Sequence, residues 1–310
     1  MATCWWSSHD RRAAVTGFLN VLLVGLLLGG IYSLISIGLN LIFGVLRVVN
    51  FAQGGLVMIG MYSTVFLYYR LGLDPYVALF LVTPAMFVFG MVLYRLILQP
   101  LQNEPMMQIF ATFGLLILFE NSVLAITRGE GYSLAGTYSG TVIDVFGLKA
   151  SVGRAIVFVA TSAIALGLML FLSRTMAGKA IRAVIQDRQS ARLMGINVER
   201  TYLLTFGLGT ALAGVAGALL APIYTLSPYI GGNFILAAFA VVVLGGLGSV
   251  PGAYIGGIAV GLMESFAGYY VDPALKQAIW FIIFVVVLVV RPSGLMGQAG
   301  AEEVGLREQT

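Results

Sequence analysis

Apolar runs of about 20 residues, separated by short polar breaks, recur along the chain from residue 14 to residue 291. The runs are continuous, not alternating, so they describe helices crossing a bilayer and not the roughly ten-residue strands of a membrane barrel. The pattern predicts spans near 14–34, 36–46 continuing through a break into 51–69, 75–98, 107–127, 153–173, 201–221, 233–249, 252–270 and 275–291. The expected fold class is an all-α polytopic membrane protein with about 8–10 transmembrane helices, some of them broken. Residues 17–69 form one apolar stretch interrupted by Arg47, Asn50 and Gln53. At about 1.5 Å per residue it is too long for one crossing and suits two.

Composition agrees: 59% of residues are hydrophobic, 10% are charged and the mean hydropathy is +0.97. Thirty-nine glycines suit close helix packing in lipid, where small side chains let backbones approach. The single cysteine, Cys4, excludes an intramolecular disulfide, and no Cys/His cluster offers a metal site. His9, the only histidine, lies in a polar leader over 1–13 and reads as a solvated residue. The first apolar run exceeds a signal-peptide core and lacks a small-residue cleavage site, so it is expected to be retained. A transmembrane domain is expected over 14–297 and a cytoplasmic tail over 298–310. Trp5, Trp6, Tyr68, Tyr69, Tyr269, Tyr270 and Trp280 read as interfacial anchors.

Charge is concentrated. Of 17 Lys and Arg residues, six fall between Arg174 and Arg200, with only Asp187 and Glu199 as acids; the remaining chain balances eleven against eleven. A basic excess this local reads as a cytoplasmic loop over 174–200, not as a nucleic-acid surface. The segment 128–152 is expected outside, and its stretch "RGEGYSLAGTYSGTVIDVFGLKA" has the Gly, Ser, Thr and Tyr content of a surface loop. Counting crossings back from the basic loop leaves Arg11 and Arg12 outside, against the usual bias, while four crossings forward return the chain inside at Arg291.

The basic loop has helical periodicity. Ile181, Val184 and Ile185 share a face, with Lys179, Arg182, Asp187 and Arg188 spread over the others. Gly195 supplies a left-handed stop, and Asn197 an N-cap for the next span. One amphipathic helix, a glycine stop and a new span are expected. Gly178-Lys179 lacks the upstream glycine and following Ser/Thr of a phosphate loop, so no ATP-binding motif is present. A Ser/His/Asp set and a dinucleotide fingerprint are also absent from the sequence, so enzymatic activity is not expected.

Polar groups inside the spans are few. "VVNFAQGG" places Asn50, Gln53, Gly54 and Gly55 in an apolar run, either as interhelical hydrogen-bonding groups or as a broken helix facing a translocation path. "VVLGGLGSVPGAYIGG", with Gly245, Gly246 and Gly248, is a second interruption, either a path element or a tight connection between two spans. Glu120 and Glu264 are the acids embedded in apolar runs, and are candidates for a path or a helix-pairing role.

These stretches carry a resemblance. "GGIYSLISIGLNLIFGVLRVVNFAQGGLVMIGMY" (29–62), "GKAIRAVIQDRQSARLMGINVERTYLLTFGLGTALAGVAGALL" (178–220), "VVVLGGLGSVPGAYIGGIAVGLMES" (241–265) and "VLVVRPSGLMG" (287–297) together resemble the LivH-type branched-chain amino acid ABC transporter permeases. The resemblance covers most of 17–297, in order. It implies an ABC importer permease fold and translocation of a small polar solute, most simply a branched-chain or related amino acid. The implied partners are a second homologous permease subunit, two cytosolic ATPases and an extracytoplasmic solute-binding protein. ATP and Mg would lie on the ATPases, with no cofactor in this chain, and the setting would be a bacterial inner membrane. Residues Gly178 to Gly195 match the family's ATPase-docking loop. Many members read Asn-Phe-Ala-His-Gly where this chain has Gln53, which hydrogen-bonds but carries no charge near neutral pH. On this reading Ile181, Val184 and Ile185 fill a groove on the ATPase, Arg182 and Arg188 form rim ion pairs, and Val184→Asp uncouples hydrolysis from transport while sparing the fold. A self-sufficient secondary transporter or channel is the alternative, and would take up solute with no partner or nucleotide.

Overall fold

The computed structural model describes residues 6–134, 142–145, 148–290 and 294–296, and for 6–15, 142–145, 148–150, 276, 277 and 280 the backbone alone. Its helices are α1 (Trp6–Leu46), α2 (Gln53–Leu71), α3 (Pro75–Leu93), α4 (Pro105–Thr127), α5 (Val152–Arg174), α6 (Met176–Gln186), α7 (Arg188–Leu193), α8 (Val198–Leu220), α9 (Ile230–Gly245), α10 (Val250–Tyr270) and α11 (Lys276–Val290). A π-helical turn, Tyr94–Leu98, extends α3. Among the described residues six helices are long and apolar enough to cross a membrane, fewer than the 8–10 expected: Thr16–Leu46, Pro75–Leu98, Pro105–Thr127, Val152–Arg174, Val198–Leu220 and Val250–Tyr270. The chain is thus an all-α, multi-pass membrane protein. Between α4 and α5 the outer loop contains an unexpected antiparallel pair, β1 (Val142–Val145) and β2 (Leu148–Ser151).

The first two spans divide differently from expectation. Residues 14–34 and 36–46 belong to one helix, α1, because nothing in that apolar run stops a helix before Arg47. Arg47 adopts φ 56°, a left-handed conformation that ends α1, and α2 starts again at Gln53. The expected polar leader is helical from Trp6 and continuous with α1. Cys4, Trp5, Arg291 and the tail 298–310 lie outside the described residues, and the side chains of Trp6, His9, Arg11, Arg12 and Trp280 are not among those described.

Contacts between helices give each one a direction. Phe18 meets Phe266 and the Ser265 hydroxyl donates to the Val21 carbonyl at 2.8 Å, so the start of α1 lies beside the end of α10. At the opposite, basic end Arg47, Ser173, Arg182 and Ser249 line one cleft. The α3 residues Val82 and Met86 lie against Gly214, while Met91 lies against Gly207, so α3 runs antiparallel to α8. These contacts place the start of α1 at the end remote from α6 and α7, as the crossing count predicts.

Small residues set the spacing of the bundle. A methyl group on Gly261 would fall within 2.7 Å of the Gly25 carbonyl and nearer still to the Gly29 backbone, so α10 and α1 touch backbone to backbone. Apolar side chains such as Phe80, Ile126 and Val159 are exposed on the outside, where hydrocarbon replaces water as their surroundings.

Candidate functional site

The basic end is built from the turns that join the spans. At the end of α5, the Thr175 hydroxyl accepts from the Gly178 N–H at 3.0 Å and caps α6. Gly178 is buried where α6 crosses α5: a Cβ there would lie 2.5 Å from Leu172 Cα and closer still to the Phe171 carbonyl oxygen. The single helix expected over 176–195 is two helices. Asp187 leaves helical geometry (φ −153°, ψ 116°) and its carboxylate accepts from the N–H groups of Gln189 and Ser190 at 2.8 and 3.3 Å and from the Ser190 hydroxyl at 2.6 Å. It is a cap, not a member of a helix face. Gly195 (φ 82°) ends the hairpin, and Asn197 caps α8 by accepting from the Arg200 N–H at 2.9 Å, both as the sequence predicts.

The expected docking face is largely occupied by this chain itself. Ile181 and Val184 are 1% and 3% exposed and belong to the main core, with Ile185 packed at its margin. Val184→Asp would bury a carboxylate in that core, so it would not spare the fold. Arg188 is half-buried, its guanidinium 5.1 Å from the Tyr202 ring centroid, whereas Lys179 and Arg182 are exposed. The apolar surface left open here is Met176, Leu193 and Met194, at 81%, 88% and 83% exposure.

Hydrogen bonds from the Ser190 hydroxyl and backbone, then from the Gln189 backbone, hold the Asp187 carboxyl below its ordinary range. A pKa lower in the folded state stabilises the cap fully above the ordinary carboxylate pKa, and that support is lost as pH falls through the depressed value. A spin label at position 193 is therefore expected to stay immobile through mildly acidic pH and loosen only below the ordinary carboxylate range. Asp187→Asn, which still caps without titrating, should abolish that pH response.

The predicted path residues fall in three places. The first lies at the break before α2. Asn50 and Gln53 are 1% and 0% exposed; the Asn50 oxygen accepts from the Ala52 N–H at 3.1 Å and turns the chain into α2. The Asn50 amide nitrogen and both Gln53 amide atoms have no hydrogen-bond partner among the described residues, an arrangement that is costly in a buried site. Gly54 crosses Gly231 at the start of α9, and Gly55 rests on Leu116 and Phe119 of α4. Glu120, half-buried, faces Gly232 next to that crossing. Asn50, Gln53, Gly54, Gly55 and Glu120 thus form one cluster.

Gly245, Gly246 and Gly248 lie at the basic end instead, where they connect α9 to α10 in a tight turn. Gly245 abuts Gly252, and Gly246 and Gly248 have φ 106° and 81°. This turn is held by Asn40, which sequence reasoning missed: its side chain donates to the carbonyls of Gly246 (3.2 Å) and Ser249 (2.7 Å) and accepts from the Gly248 N–H (2.6 Å). Asn40 interrupts an apolar run just as Asn50 does, and that was the available signal. Leu295 and Met296 then donate backbone N–H groups to the last carbonyls of α9, Leu244 and Gly245, at 2.9 and 3.0 Å. Glu264 is in the third place, toward the far end, 4% exposed and accepting a hydrogen bond from the Tyr32 hydroxyl. Among the described residues no group of His, Cys, Asp and Glu is placed to hold a metal.

Comparison with known proteins bears on this architecture directly. The model of the family described as branched-chain amino acid transport system / permease component matches residues 21–288. The chain is 31% identical over 301 residues to the high-affinity branched-chain amino acid transport system permease protein LivH of Salmonella typhimurium, covering 93% of this chain and 98% of that one. It is 32% identical over 304 residues to BraD of Pseudomonas aeruginosa, with the same coverage. A shorter match, 38% over 104 residues, 31% of this chain and 28% of the other, links it to the xylose transport system permease protein XylH of Haemophilus influenzae. No solved structure matches the chain. An all-α, multi-pass architecture, and a family match running over residues 21–288, lead to one conclusion: the chain belongs to the branched-chain amino acid transport permease family.

Proposed function

We propose that this chain is a membrane-spanning subunit of an ATP-driven importer that moves branched-chain or related amino acids into the cytoplasm by alternating access. It works in a bacterial inner membrane beside a second homologous permease subunit. Two cytosolic ATPases supply the energy, with ATP and Mg bound to them, and an extracytoplasmic binding protein supplies the solute. This chain contributes neither a nucleotide site nor a catalytic group. The observation that carries the reading is the α6–α7 hairpin: capped at Thr175 and Asp187, seated on α5 through Gly178, and exposing Leu193 and Met194 on α7 and its end, with Lys179 and Arg182 of α6 and Arg192 of α7 also exposed. An exposed apolar pair on a cationic hairpin suits an ATPase groove with an acidic rim. Gly178, Ile181, Val184, Ile185, Asp187, Arg188 and Gly195 serve coupling by fixing the hairpin to the bundle, so that a push on it tilts α5 and α8. The solute path is proposed to pass the Asn50, Gln53, Gly54, Gly55 and Glu120 cluster, while Gly245, Gly246 and Gly248 hold the inner turn.

Replacing Leu193 and Met194 together by Asp is expected to abolish co-purification of the ATPases and solute uptake, with the permease still folded and membrane-inserted. Unimpaired co-purification would overturn the docking assignment. Nucleotide-free uptake by the chain alone in proteoliposomes would instead establish a self-sufficient transporter.

A further inference from the structure

At the end remote from α6, a cavity of about 1190 Å³ opens between α1, α5, α9, α10 and α11. Its wall holds two opposite charges. Arg154, at the start of α5, is half-buried, and its guanidinium makes no hydrogen bond or ion pair among the described residues. Glu264 is 4% exposed and anchored by the Tyr32 hydroxyl, which lines the same wall. Charged side chains are expensive within a span and are retained where they meet something. Around them Val24, Leu28 and Phe234 provide apolar surface.

Two opposite charges and an apolar wall define a solute class. A neutral sugar uses neither charge, a free carboxylic acid is repelled by Glu264, and a simple amine is repelled by Arg154. An α-amino acid with an aliphatic side chain uses all three. We propose that this cavity is the solute intake site, with Arg154 receiving the α-carboxylate, Glu264 the ammonium, and Val24, Leu28 and Phe234 the side chain. The proposal rests on the importer reading above, and adds where the solute is held and by which groups.

Glu264→Gln and Arg154→Gln test it in the complex assembled with its partner subunits. Gln at 264 removes the charge and retains an oxygen to accept from Tyr32. Each variant is expected to lower leucine uptake at least tenfold while ATP hydrolysis remains stimulated by loaded binding protein. Wild-type uptake in both overturns the proposal. A second measurement keeps both charges: Asn233→Cys, which lines the cavity, in a Cys4→Ser background, labelled from outside with a charged thiol reagent. Millimolar leucine is expected to slow labelling, and xylose and isopentylamine to leave it unchanged. No protection by leucine, or equal protection by all three, overturns the assignment. If the unmodified complex imports no amino acid, the importer reading fails, and the labelling result still decides the cavity because it requires no transport.

Discussion

Gly54→Ala is expected to lower the melting midpoint of the detergent-solubilised protein by roughly 2–10 °C, the equivalent of about 1–3 kcal/mol of overpacking. The added methyl would lie 2.9 Å from the Gly231 carbonyl carbon and 3.1 Å from Ile235 Cβ, with the Gly231 oxygen nearer than either. That oxygen would be more than about 1 Å inside an ordinary carbon–oxygen approach. A flexible side chain could swing aside, but both obstacles at Gly231 are backbone. Relief requires α2 and α9 to separate, and separation loosens the cluster around Asn50 and Gln53. Gly231→Ala, whose methyl would meet the Gly54 backbone at 2.9 Å, should do the same, and the double variant should cost less than the sum because one separation serves both. An unshifted midpoint for Gly54→Ala would show that the crossing is not tight.

Gly178→Ala is expected to have its largest effect on coupling. The methyl would sit 2.5 Å from Leu172 Cα, so α6 must lift from α5, carrying Ile181 and Val184 partly out of the core. Leu193 and Met194 stay on the surface, so the ATPases should still bind. Solute uptake by the reconstituted complex should therefore fall at least tenfold while ATP hydrolysis persists, a ratio worth about 1.4 kcal/mol or more of lost coupling. Equal losses in uptake and hydrolysis would show instead that Gly178 matters only for folding.

Much of this architecture was legible because bilayer thickness limits the length of apolar runs. The parity of crossings, the basic loop, the Gly195 stop and the Asn197 cap each follow from one local rule. The break after residue 46 was legible from Arg47, Asn50 and Gln53, but the continuity of 14–34 with 36–46 in one helix was not, since an apolar run of this length reads as well as two crossings as one. The split at Asp187 was hidden because a carboxylate on a helix surface and one capping the next helix look alike in a charge count. The apolar stripe of Ile181, Val184 and Ile185 announced that something covers it, but periodicity is silent about whose atoms do so. Here the cover is this chain. The glycines of the two interruptions look equivalent in sequence; one set makes a helix crossing and the other a turn, which depends on partners far along the chain.

Asn40 illustrates what that distance means for biogenesis. Its hydrogen-bond partners at Gly246, Gly248 and Ser249 lie 206 to 209 residues later. At ordinary translation speeds of 5–20 residues per second, roughly 10–40 s pass between making Asn40 and making the turn it will hold. Throughout that interval the first helix carries a buried-type amide whose final partners have not yet been made. Until then the amide is left to a carbonyl of its own helix, to water or to the insertion machinery, and α1 gains its hold on the inner turn only when α10 arrives. The first helix made and the last turn that fixes it are thus joined through one asparagine, so that packing at the inner end of α1 is completed only late in synthesis.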